Sequence, residues 1–184
     1  MNACDDVAFL FLDLQDDLLP LACMQPGARV RVVAGALARF AAGPSMPALA
    51  SIVALGSPDP APIPELTGHG LPVVRRAGPR IFSHQATIDT VRGLDRGTLL
   101  LCGLLTEVVV LHAALDAVRL GFKVQIVIDA YSGISSRTEA AAVRQMERAG
   151  VEVVSGLGLL TGMIHDFGSE LGGEVVAALQ VLLA

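Results

Sequence analysis

Apolar residues along this chain fall into six short, nearly unbroken runs separated by stretches of helical spacing. The runs are Val7–Leu12, Pro47–Leu55, Leu71–Arg75, Thr98–Cys102, Val124–Ile128 and Val151–Ser155. Continuous apolar runs of this length are expected of parallel strands covered on both faces. The intervening pattern predicts helices over Ala28–Ala42, Gln85–Gly93, Thr106–Leu120 and Arg137–Ala149, with a last one over Ser169–Ala184. Gly43-Pro44 ends the first of these, and the prolines between Gly56 and Pro64 predict a loop that is neither helix nor inner strand. Strands alternating with helices imply right-handed crossovers. The expected fold is therefore α/β, a three-layer α/β/α sandwich with a six-stranded parallel sheet. No composition shift or internal repeat divides the chain, so a single domain over residues 1–184 is expected.

Composition narrows the function classes. A chain of 184 residues can bury about 70% of its unfolded surface. With 53% hydrophobic and 17% charged residues, a solid core with apolar surface to spare is expected. The net charge of −5 and the scattered basic residues argue against a nucleic-acid groove. No apolar run reaches the roughly 18 residues of a membrane span. The first residues, Met1 to Asp6, lack the basic and apolar regions of a signal peptide. Three cysteines without metal-ligand spacing fit a reducing interior, so a cytoplasmic location is expected.

In open parallel sheets ligands bind beyond the carboxyl ends of the strands, near the switch in strand order. Three features occupy strand ends here: Asp13 after the first, Arg76 after the third, and the turn Leu104–Val109 after the fourth. That turn belongs to Gly103-Leu104-Leu105-Thr106-Glu107-Val108-Val109-Val110, a strand end passing sharply into a helix. With the following strand ending Ile128-Asp129-Ala130, it resembles the signature of the isochorismatase-like cysteine hydrolases, in which Gly-x-x-Thr-Asp/Glu-x-Cys places a nucleophilic thiol on the first helical turn. The resemblance covers roughly Val7 to Phe167 and is strongest from Leu100 to Ala130.

What the resemblance implies is specific. The thiol position is Val109, a degenerate nucleophile position that can neither ionise nor attack. A thiolate there would be stabilised by the helix N-terminus; an isopropyl group excludes any thioester route. Asp13, in Asp13-Leu14-Gln15, matches the family's catalytic aspartate, and a carboxylate against apolar walls has a raised pKa suited to proton transfer. Arg76 stands where the family usually carries a lysine; it keeps the charge in a planar, permanently protonated form. Leu104–Leu105 corresponds to a non-prolyl cis peptide, and the amides of Leu105 and Val109 to oxyanion donors. Gln15, Phe82 and Thr106 are the expected pocket residues, with Thr106 the natural N-cap and Glu107 suited to the helix dipole.

Plain alternatives stand beside these readings. Asp13 can cap a neighbouring turn, and Arg75 or Arg80 can face inward instead of Arg76. Cys102 lies inside an apolar run and reads as a buried structural thiol; Cys4 and Cys23 fit no signature. His112 shares a helical face with Val109 but is a lone histidine, and His69, His84 and His165 are isolated. The nicotinamidase branch holds a metal through Asp-x-His-His, which has no counterpart here, so no metal and no cofactor are expected. Gly156-Leu157-Gly158 does not follow a first strand and gives no support for dinucleotide binding.

Two functions remain open. One is an enzyme acting on a small metabolite, acidic ones included, by non-covalent acid/base chemistry through Asp13. The phenazine-type isochorismatases work without the thiol, an aspartate protonating an enol ether. The other is a catalytically inactive member serving as a binding or oligomeric scaffold. The crowded apolar residues of the last helix, Val175, Val176, Leu179, Val181, Leu182 and Leu183, point to a homo-oligomer in either case.

Overall fold

The computed structural model describes residues 6–44, 46–55 and 57–184; Cys4 and Gly56 of the sequence reading lie outside them. Six parallel strands form one sheet: β1 (Val7–Leu12), β2 (Ala48–Val53), β3 (Val73–Arg76), β4 (Thr98–Leu104), β5 (Lys123–Ser132) and β6 (Glu152–Val154). Their order is β3-β2-β1-β4-β5-β6, so the chain works outward to one edge, returns to the middle and works outward to the other. The reversal lies between β1 and β4, whose register runs from Val7 against Thr98 to Leu12 against Gly103.

Side chains of β1 alternate between the two faces, as the period of a strand requires. Phe9 and Phe11 pack with α1 (Gly27–Ala42), α6 (Gly156–Gly162) and α7 (Glu170–Leu183). Ala8, Leu10 and Leu12 pack on the other side, with α3 (Gln85–Arg92), α4 (Leu111–Arg119) and α5 (Ser136–Arg148). The three-layer sandwich follows from this alternation: a central strand apolar at every position has to be covered twice. The rings of Phe9 and Phe11 stack at 5.9 Å, and each such fully buried side chain contributes about 2–3 kcal/mol relative to exposure.

Several boundaries differ from the sequence reading. A four-residue α2 (Pro64–Thr67) begins where the proline loop was expected to end, because Pro64 is tolerated at a first helical position. The short α6 follows β6 where only a glycine-rich segment was apparent. Ser155 accepts from the Gly158 N–H at 3.0 Å and Asp129 from the Gly156 N–H at 2.8 Å, so two side chains supply the start that helix propensity does not. β5 runs to Ser132 rather than Ile128, with a shift in its register against β4 between Leu101 and Gly103.

The helix expected over Thr106–Leu120 is a wide π-helical turn over Thr106–Val110 followed by α4. Thr106 is therefore not its N-cap. Leu105 holds that position, and the Thr106 hydroxyl donates to Glu139 at 2.9 Å instead. Glu107 accepts from the Ile134 N–H at 2.9 Å and the Thr138 hydroxyl at 2.7 Å, which ties the turn to the start of α5. Among the described residues no helix is long and apolar enough to cross a membrane.

Candidate active site

Asp13 is the first residue past β1 and adopts a left-handed backbone conformation, with φ of 54°. Aspartate tolerates this region better than most residues, yet such conformations persist only where the surroundings impose them. Here its N–H donates to the Ser51 carbonyl at 2.8 Å, and its carbonyl accepts from the Gln15 N–H at 2.9 Å. Gln15 is fully buried and bridges to β2. Its side-chain amide donates to the Val53 carbonyl at 3.0 Å and its oxygen accepts from the Val53 N–H at 2.8 Å. The two residues after β1 are thus fastened to the end of β2, and the Asp13 carboxylate is held still.

Arg76 closes β3, two strands away, and its guanidinium reaches Asp13. One terminal nitrogen donates to Asp13 Oδ2, and the other donates to the Gly78 carbonyl at 2.8 Å. Both residues are buried, Asp13 5% and Arg76 7% exposed. Burial pushes the Asp13 carboxyl up to about 6, because the loss of hydration outweighs the attraction of Arg76; Asp17 adds a smaller push in the same direction. Burial likewise lowers the Arg76 pKa, against the pull of Asp13. Asp13 Oδ1 and Arg76 Nε have no hydrogen-bond partner among the described residues.

Strand alternation separates Arg75 from Arg76, and Arg80 lies beyond the end of β3. Arg75 points away from Asp13 and donates to the Pro60 carbonyl at 2.6 Å, while Arg80 forms an exposed pair with Asp116 at 2.8 Å. Only Arg76 faces Asp13.

A cavity of about 150 Å³ opens beside this pair. Asp13 and Leu18 line it from the segment after β1, Val53 and Leu55 from the end of β2, and Arg76 to Pro79 from the end of β3. The turn after β4 contributes Leu104, Leu105 and Val108, and the Leu104–Leu105 peptide is cis. The carboxyl ends of four strands meet there, at the reversal in strand order, which is where open parallel sheets bind ligands.

Of the residues singled out in the sequence, Asp13, Arg76, Leu104 and Leu105 meet at this cavity. Val109, Gln15, Phe82 and Thr106 are not among its lining residues. Val109 is fully buried in the core on the α4 face, where Phe82 also packs. The wide turn presents Val108 to the cavity in its place. Gln15 and Thr106 are spent on the hydrogen bonds to Val53 and Glu139. Leu18, Leu55, Val108 and the Ala77-Gly78-Pro79 segment escaped the sequence reading; their one signal is position, within six residues past a strand end. Among the described residues no cysteine lines the cavity. Cys102 is buried in β4 with its thiol pKa pushed up by burial, and Cys23 is exposed. Among the described residues, no three His, Cys, Asp or Glu side chains gather as a metal site would require.

A family model for the isochorismatase domain matches residues 7–156. The chain belongs to the isochorismatase domain family. Within that family it is 24% identical over 172 residues to the probable hydrolase YcaC of Escherichia coli, covering 92% of this chain and 83% of that protein. The crystal structure of E. coli YcaC, described as an octameric hydrolase of unknown specificity, superposes with a TM-score of 0.86 at 25% identity. That superposition covers 97% of this chain and 87% of the other. A mouse relative, isochorismatase domain-containing protein 2A, is 29% identical over 105 residues, 56% of this chain. The chain spans only half of that relative's length. YcaC from Pseudomonas aeruginosa, solved with hexane-2,5-diol and covalent acrylamide, shares the fold at a TM-score of 0.86, with 24% identity over 95% of this chain and 89% of that one. The isochorismatase-like fold thus extends over nearly all of the chain, and the cavity lies at its strand-order switch.

Proposed function

We propose that this isochorismatase-family protein acts on a small metabolite by non-covalent acid/base chemistry, with Asp13 as general base and Arg76 as its electrostatic partner. The observation that carries this reading is Asp13 itself. It is a buried carboxylate at the strand-order switch, paired through one oxygen, unpartnered at the other, and poised at about 6. At pH 7 such a group is about nine-tenths ionised, close to the optimum for accepting and returning a proton. Contact with Arg76 favours the ionised form, so a base role is supported over the proton-donor role of an enol-ether cleavage. Val109 in place of a thiol leaves no covalent route at that position. The backbone amide of Leu105, which lines the cavity, is the proposed donor to a developing oxyanion; Val109, the other donor the resemblance implies, lies off the cavity.

Activity is expected to rise as pH passes upward through about 6, since the base must lose its proton to work. Asp13→Asn is expected to fold and to lose at least 100-fold in kcat/KM. A fully active Asp13→Asn protein, or a rate independent of pH between 5 and 8, would end the catalytic reading.

One observation favours a second reading, a non-catalytic binding or scaffold member. The outer row of α7 leaves Val176 and Leu183 exposed, while Val175, Ala178 and Leu182 cover the core. Exposed apolar residues of this kind, set among the exposed Glu174 and Gln180, suit a subunit contact, and YcaC of E. coli is described as octameric. A homo-oligomer is proposed under both readings. Sedimentation at micromolar concentration is expected to give a multiple of the 19.1 kDa chain mass, and a clean monomer would count against it.

A further inference from the structure

We propose that the cavity takes a small uncharged molecule with an apolar body and one O–H or N–H group that donates to Asp13 Oδ1. The inference rests on the reading of Asp13 as the reactive group and adds what that group recognises.

Size comes first. A cavity of about 150 Å³ holds a molecule of roughly six to eight non-hydrogen atoms, the scale of benzene. The walls come next: Leu18, Val53, Leu55, Pro79, Leu105 and Val108 offer methyl and methylene surface. Burying an unpaired charge against such walls is costly.

The Asp13–Arg76 pair, with its charges balanced against each other, disfavours both charged alternatives. An anion would need the guanidinium, yet one terminal nitrogen of Arg76 is on Asp13 and the other on the Gly78 carbonyl. The end that carries both terminal nitrogens is committed, the pair with Asp13 leaves no net charge to offset a buried anion, and Asp13 stands beside it to repel a second negative charge. A cation would meet Asp13 but also the buried guanidinium held against it. What remains at the pair is one buried acceptor, Asp13 Oδ1, and one buried donor, Arg76 Nε, neither with a partner among the described residues. Leaving a buried acceptor unmade is expensive, so a ligand that supplies one donor gains affinity that an isostere without it does not. The site selects for one donor and against net charge.

A matched series tests this on the full chain, with binding followed by NMR of the Leu and Val methyl groups. Isobutyramide, isobutyrate and 3-methyl-2-butanone share shape and size but differ in donor and charge. Isobutyramide is expected to shift the Leu105 and Val108 methyls and to bind at least fivefold tighter than the other two. Val108→Trp, which fills the cavity mouth from outside the core, is expected to abolish those shifts; Asp13→Asn is expected to reduce the amide's advantage over the ketone. If Asp13→Asn does not fold, the three-compound series in the native protein decides the donor rule, with Val108→Trp fixing the site. Isobutyrate or the ketone binding as tightly as the amide would overturn the donor rule while leaving the base role of Asp13 standing. Absence of cavity shifts with all three compounds would overturn the cavity as the site for such molecules, while the base role of Asp13 is decided by its own pH profile and Asp13→Asn rate.

Discussion

Replacing Arg76 by methionine is expected to cost about 3–5 kcal/mol of stability at pH 8 and clearly less at pH 5. In the native protein Asp13 titrates at about 6 although Arg76 pulls it downward, because burial pushes harder. Without the guanidinium only the upward pushes remain, and the Asp13 pKa must rise further. The sign of the pH dependence follows. An acid that holds its proton more tightly when folded contributes most below its unfolded pKa, near 3.8, and loses that contribution as pH climbs through the folded value. In the native protein this loss is about 3 kcal/mol between pH 4 and 6. In Arg76→Met it grows larger and extends above pH 6. At pH 5 the variant's Asp13 is neutral and needs no cation. Denaturant unfolding at the two pH values measures the difference, and the Asp13 side-chain carbon shift in NMR reports the pKa directly. An equal loss of stability at both pH values would show that the charge on Asp13 is not what Arg76 balances.

Gly103→Ala is expected to destabilise by about 3 kcal/mol, lowering Tm by roughly 6–12 °C. Gly103 lies in β4 opposite Leu12, where the two central strands pass closest to the site. A Cβ there would overlap the Leu12 carbonyl oxygen and sit 2.7 Å from Leu12 Cβ. Backbone cannot swing aside as a flexible side chain would, so β1 and β4 must part at the point that sets the spacing between Asp13 and the Leu104–Leu105 turn. Thermal unfolding gives the stability change, and the Leu105 methyl shift tells whether the cavity wall has moved. A variant with unchanged Tm and unchanged shift would mean that the strands relax apart freely and that the close approach has no role in shaping the cavity.

Much of this protein is legible in its one-dimensional pattern. Six apolar runs alternating with helical stretches carry the α/β/α sandwich, since a strand apolar on both faces must be covered on both. Asp13, Arg76 and the Leu104–Leu105 turn are conspicuous because each ends a strand, and strand ends are where parallel sheets gather ligands. The order in which strands lie side by side, and hence which ends meet, is a matter of pairing between distant segments. The tertiary structure alone decided that Arg76 rather than Arg75 or Arg80 reaches Asp13, through the pairing of β3 with β2 and of β2 with β1. It also decided that Val108 rather than Val109 faces the cavity, because the turn after β4 is wider than an α-helix and rotates the side chains that follow. Gln15 and Thr106 illustrate the same limit: each has the chemistry of a pocket residue, but distant partners on β2 and α5 claim its hydrogen bonds. Local pattern records what each segment buries, and only the assembled fold determines which neighbours its polar groups are spent on.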